Sequence, residues 1–252
     1  LAVDGNGQAI SSSWPLIISN LSGDQYYENS TITENGIFIS FKDNTSGDYD
    51  VYGQHVKFTG SLASGSTGTA IASGANAQQS SSIAYKQGEV FVCYEITNSS
   101  EETDIQCNAI QLSDNFISNT VIISDNEGNQ TKPNVHWSGD SYLIAWEDSR
   151  NTEILNSSVD IYFQEYNGDE FSFAVGGESL CLFSQKQERP IIAQYANSSF
   201  VIIWEDYRST GKEYCANLYG QSFTTCNNGD VNGDEIYNVL DIVNLANCVL
   251  AQ

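Results

Sequence analysis

Near its C-terminus the 252-residue chain sets Asp230, Asn232, Asp234, Asn238 and Asp241 at positions 1, 3, 5, 9 and 12 of one loop. The carbonyl of Ile236, at position 7, completes the set. A hard cation such as Ca²⁺ takes about six to eight oxygens at about 2.4 Å, and this spacing wraps oxygens around one point. The loop predicts a calcium site, with Ca²⁺ as the cofactor. An apolar helix is expected behind it, over about 238–251. Val239, Ile242, Val243, Ala246, Val249 and Leu250 form a stripe at helical spacing. One short helix cannot bury such a face alone. It either packs on its own domain or docks a neighbouring chain.

Six cysteines, Cys93, Cys107, Cys181, Cys215, Cys226 and Cys248, show no C-x-x-C zinc spacing. In an acidic, Asn/Ser/Thr-rich chain they are expected as disulfides of an oxidising compartment. Cys93 and Cys107 fall on neighbouring strands. Cys226 and Cys248 bracket the calcium loop and its helix. Cys181 and Cys215 form the third pair by elimination. Seven N-x-[ST] sequons, at Asn20, Asn29, Asn44, Asn98, Asn129, Asn156 and Asn197, are candidate glycan acceptors of a secreted surface.

Catalytic constellations are sparse. Asp148/Arg150 and Asp206/Arg208 recur at equivalent places of a repeat, which marks them as structural ion pairs or turn-fixing contacts. His55 and His136 are the only histidines, and no Ser-x-Gly elbow or H-E-x-x-H accompanies them. The pairs Glu101/Glu102 and Asp169/Glu170 carry little information in a chain with 32 acidic and 9 basic side chains. A glycosidase needs two carboxyls at a set separation, which a sequence does not display. No catalytic residue is assigned, and the chain is expected not to be an enzyme.

The net charge of −23 disfavours nucleic acid and anionic membranes as partners. No apolar run is long enough to span a bilayer. The chain contains neither a methionine nor a signal peptide, and is expected to be a processed piece of a longer product.

Elements follow from a repeat. IFISFKD (37–43), VFVCYEI (90–96), YLIAWED (142–148) and FVIIWED (200–206) align, with Phe41, Tyr94, Trp146 and Trp204 spaced by 53, 52 and 58 residues. Each precedes a second match: DVYGQ (50–54), DIQCN (104–108), DIYFQ (160–164) or NLYGQ (217–221). Alternation with period two makes these strands. Flanking strands are expected before the first match (TIT, SIAY, PNVHW, PIIAQY) and after the second (TAIAS, NTVIIS, SLCLFS). Four strands per unit, repeated at this period, predict an all-β propeller of about four four-stranded blades over 1–224. A calcium-binding module follows over 225–252. The Trp14–Ser19 segment supplies a strand that closes the last blade, or else further blades preceded Leu1.

The units resemble bacterial extracellular propeller repeats, which end one strand in W-x-D-x-R and begin the next with D-I-Y-x-Q. Trp146, Asp148, Arg150, Asp160, Ile161, Tyr162 and Gln164 carry the resemblance best; Trp204, Asp206, Arg208, Leu218, Tyr219 and Gln221 follow. It implies a fold and no particular activity. Residues 229–250, GDVNGDEIYNVLDIVNLANCVL, resemble one repeat of a type I dockerin, an extracellular calcium-dependent docking module. Glu235 stands where that family has glycine, and the second repeat is absent.

These observations predict a secreted, non-enzymatic structural or assembly protein of the cell surface or extracellular matrix, able to form filaments head to tail. Its partners would be other copies or extracellular proteins, reached through the N-terminal strand and the C-terminal helix. The alternatives are a carbohydrate-binding, lectin-like propeller and an accessory module of an extracellular glycoside hydrolase.

Overall fold

The computed structural model describes residues 16–151, 159–183, 185–196, 199–208 and 216–224. Among them every helix or strand element is a strand. The first sheet is a meander of β1 (Gln25–Thr33), β2 (Gly36–Asp43), β3 (Asp50–Lys57) and β4 (Thr69–Ala72). The second contains β5 (Gln78–Lys86), β6 (Glu89–Thr97) and β7 (Thr103–Gln111), with β8 (Phe116–Ile117) and β9 (Val121–Ser124) both paired to β7. The third is β10 (Gln130–Trp137), β11 (Tyr142–Asp148), β12 (Asp160–Tyr166) and β13 (Glu178–Cys181). The fourth is β14 (Gln187–Ala196), β15 (Ser199–Asp206) and β16 (Asn217–Thr224).

The matched segments occupy equivalent registers. Phe41 lies opposite Tyr52, Tyr94 opposite Gln106, Trp146 opposite Tyr162 and Trp204 opposite Tyr219. The central strands are buried on both faces, so β11 is apolar almost throughout and all seven of its residues are buried. Chain contacts divide the protein into two compact units, Leu1–Val135 and His136–Gln252. The first unit's core includes Phe38, Val51, Val90, Val92, Tyr94 and Ile110. The second is built on Leu143, Ile161, Phe163, Phe200, Ile202 and Trp204.

Cys93 and Cys107 are directly opposite on β6 and β7 and form a disulfide, as their register predicts. At the N-terminus, Leu16–Ser19 is not a strand. It is held by β3 and by the loop before β4: Gln54 Nε2 donates to the Ile18 carbonyl at 3.3 Å, and the following Asn20 N–H donates to the Ser66 carbonyl at 2.9 Å. Trp14 lies outside the described residues. So does the segment expected as a calcium module, residues 225–252, with Asp230, Asn232, Asp234, Ile236, Asn238, Asp241, Cys226 and Cys248.

Candidate functional site

The two repeated motifs are structural. Trp146 Nε1 donates to Asp148 at 2.9 Å, and the Arg150 amide and Nε donate to the same carboxylate at 2.9 Å. The Arg150 guanidinium lies 4.0 Å over the Tyr162 ring and reaches the Gly176 carbonyl. Trp204, Asp206, Arg208 and Tyr219 repeat this arrangement in the last sheet. Burial raises the Asp206 carboxyl, but the bonds from Arg208 and Trp204 outweigh it and leave the group below the usual carboxylate range. The motif glutamine clamps the following loop: Gln54 binds Ser64 and Gly65, and Gln164 binds Phe173 and Ala174. A group used identically in successive sheets is scaffold, not catalyst.

A third repeated device is absent from the sequence motifs. Each sheet begins with a glutamine (Gln25, Gln78, Gln130, Gln187), and in the later three the residue two places on has positive φ: Ser80 (55°), Lys132 (52°) and Arg189 (57°). Its N–H points out of the ladder and is caught by a glutamate. Lys132 N–H donates to Glu95 Oε1 at 2.8 Å, and Arg189 N–H to Glu147 Oε1 at 2.7 Å. In both cases a proline follows (Pro133, Pro190) and offers no second N–H.

The first unit breaks this rule twice. The second-strand glutamate of the other sheets (Glu95, Glu147, Glu205) is replaced by Lys42, and the proline by Ser81. The carboxylate now comes from Glu28, the bulge residue of β1, where the register slips between Tyr27 and Asn29. Glu28 accepts from Ser80 N–H at 2.7 Å and from Ser81 N–H at 2.8 Å, one oxygen each. Two successive N–H groups converging on one anion form a backbone nest.

Around this point opens a cleft of about 540 Å³, lined by Tyr26, Tyr27, Glu28, Lys42, Tyr49 and Lys132 together with Ser80 and Ser81. That volume lies in the range of small-ligand sites, about 300–1,000 Å³. Tyr26 and Tyr27 are 49% and 68% exposed, so their rings are available to a ligand. Tyr26 and Tyr49 meet edge to face at 6.0 Å. Lys42 Nζ lies 4.6 Å over Tyr49 and donates to Gln79 Oε1 at 3.2 Å. Asp24 nearby, then Tyr49, raises the Tyr26 phenol, which stays protonated at neutral pH and can donate.

The residues singled out in the sequence lie elsewhere. His55 Nε2 is 3.0 Å from Thr33 Oγ1 within the first unit, and the His136 ring lies 5.5 Å from that of Phe200, tilted by 59°, in the second. Burial lowers both imidazoles and keeps them neutral. The Cys181 thiol is buried beside Arg208, and burial raises it to about 11; Cys215 lies outside the described residues. Asn98 is committed to its turn, accepting from Ser100 and Glu102 and donating to Asp104. Asn44 accepts from Asp24 N–H, Asn29 from Ser30 N–H, and Asn129 from Thr103 N–H. Asn20 is exposed; Asn156 and Asn197 lie outside the described residues. Among the described residues no group of three or more His, Cys, Asp or Glu could hold a metal.

No family model and no curated protein matches the sequence. Solved structures do. The endo-arabinase of Bacteroides thetaiotaomicron VPI-5482 superposes with a TM-score of 0.51 at 10% identity, over 81% of this chain and 78% of its own. An exo-1,5-alpha-L-arabinanase from a bovine ruminal metagenomic library gives 0.52 at 8% identity, over 80% and 75%. The alpha-L-arabinanase of Penicillium chrysogenum, complexed with arabinobiose, gives 0.51 at 12% identity, over 82% and 66%. The fold is a β-propeller. At such identities the likeness carries the fold and not the chemistry. It nevertheless corrects the expectation of a non-enzymatic structural subunit that builds filaments. That expectation rested on unpaired ends and on the lack of a catalytic motif, whereas this architecture is shared with proteins named for cleaving arabinan.

Proposed function

We propose that the chain is an extracellular saccharide-binding propeller that serves polysaccharide breakdown as an accessory module, with the tyrosine cleft of the first unit as its sugar site. One observation carries this: three tyrosines line one open cleft beside a carboxylate and two lysines. The C–H faces of a sugar ring stack on aromatic rings, while its hydroxyls need fixed donors and acceptors. Tyr26 and Tyr27 offer exposed faces, Lys42 donates, and Glu28 retains lone pairs beyond the two that its amide bonds occupy. The arabinan-cleaving proteins of the same fold make arabino-oligosaccharides the first ligands to test.

Calorimetric titration with arabino-oligosaccharides and a panel of plant and microbial glycans tests the proposal. Binding is expected, and Tyr27→Ala should weaken it about tenfold, the cost of one lost stacking anchor. Affinity unchanged in both Tyr26→Ala and Tyr27→Ala would remove the cleft as the site. Reducing-sugar release in the same samples reads whether bound polymer is also cleaved.

The extracellular placement is supported by the Cys93–Cys107 disulfide and by the sequons. No helix among the described residues is long and apolar enough to cross a membrane. Completing the proposal, residues 225–252 form a calcium-ordered docking segment. Its ion is held by the carboxylate and amide oxygens of Asp230, Asn232, Asp234, Asn238 and Asp241 and by the Ile236 carbonyl. Its apolar helix face meets an extracellular protein partner.

A further inference from the structure

Lys42 is a reversal of charge at a conserved place in the chain's own repeat. The other three sheets carry glutamate there, in a chain with only 9 basic side chains. Two of those cations, Lys42 and Lys132, line the same cleft. The structural duty of the missing glutamate has not lapsed, because Glu28 performs it from the neighbouring strand. Its substitution therefore answers to something other than holding β5 in place. Local rules broken in one copy and compensated nearby are the mark of a functional site.

The replacement of proline by Ser81 points the same way. It supplies a second N–H beside that of Ser80, so two amides together hold the Glu28 carboxylate in the cleft lining. With Glu28 so bonded, the cleft lining carries one carboxylate against two ammonium groups, those of Lys42 and Lys132. Tyr49, beneath Lys42, holds the ammonium near the opening. The net charge of −23 opposes an anion from afar, but at physiological salt that field is screened beyond about 8 Å. An ammonium at hydrogen-bond distance is not screened and decides the contact.

We infer that this cleft selects anionic saccharides: sugars whose carboxylate or sulfate meets Lys42 and Lys132 while the ring stacks on Tyr26 and Tyr27. The inference rests on the saccharide function proposed above and narrows its ligand. Carboxylate and sulfate share the chemistry that the lysines recognise, so the test separates them.

The full chain is titrated with a galacturonic acid trimer, a sulfated galactose oligosaccharide and neutral arabinotriose, at two salt concentrations. An anionic probe should bind at least about tenfold more tightly than the neutral one, with an advantage that shrinks as salt rises. The tighter of the two anionic probes names the group. Lys42→Met should abolish the advantage and Lys42→Arg retain it, with thermal melts reporting folding. Should Lys42→Met fail to fold, Lys132→Met, at an exposed position, decides in its place and should reduce the advantage. Tyr27-dependent binding of the neutral probe, as tight as that of the anionic ones, overturns the inference and leaves the saccharide function standing. An advantage that survives loss of the lysine also overturns it. No binding of any probe or glycan removes both.

Discussion

Glu95 is buried and its carboxyl accepts the Lys132 amide at 2.8 Å. Burial raises its carboxyl, the Lys132 bond opposes that, and the nearby charge of Glu28 adds to the rise. A carboxyl raised in the folded state holds its proton more firmly there than in the unfolded chain. Its contribution therefore favours folding at low pH and fades as pH climbs above the unfolded value of about 4.3. Glu95→Gln keeps an acceptor for the amide and removes the buried charge. In urea melts its stability relative to wild type should rise between pH 4.5 and pH 7. Glu95→Ala strands the Lys132 amide and should cost about 1–3 kcal/mol at either pH. Equal behaviour of the two variants would deny Glu95 its role as a clasp. None of this was legible in the sequence, where Glu95 is one acid among 32. Its partner is an N–H 37 residues away that is turned outward by a positive φ, and no motif records that.

The strands themselves were legible, because central strands alternate or run apolar and recur every 52–58 residues. The first strand of each sheet was read too short. TIT is the last third of β1, and PNVHW omits Gln130–Lys132 of β10. The missing halves hold the bulges and polar side chains, which break the two-residue period. That is where Tyr26, Tyr27, Glu28, Ser80 and Ser81 lie, so the cleft escaped with them. A signal was present in the alignment of the copies: Lys42 against Glu95, Glu147 and Glu205. The loops carry constraints as tight as the strands. Gly177 has φ of +64°, and a Cβ there would lie 2.5 Å from the Trp146 ring and press on the Phe163 carbonyl. Gly177→Ala should lower stability by about 1–3 kcal/mol, by strain and by displacing the anchor ring, as a shift in denaturation midpoint. An unshifted midpoint would mean that Trp146 moves aside without cost.

At the scale of the whole molecule, the described residues form two compact units, and the loop expected to bind calcium is not among them. The calcium expectation for that loop rests on spacing alone, since the ligands of such a loop recur at fixed intervals. The cleft was not legible in the sequence, because its parts come from β1, β2, the turn before β3, β5 and β10 and meet only after folding. For the tail, calorimetry on the full chain should show one calcium equivalent, lost in Asp230→Ala or Asp241→Ala, and chelation should speed proteolysis near the C-terminus. Heat that is indifferent to both substitutions would remove the ion from the proposal. The copies also hold a use of their own. Two other versions of the cleft wall, with glutamate for lysine and proline for serine, sit on the same backbone plan as built-in reference states. Rewriting one of them residue by residue into the first would trace how a plain supporting wedge becomes a receptor, with the untouched wedges serving as internal controls.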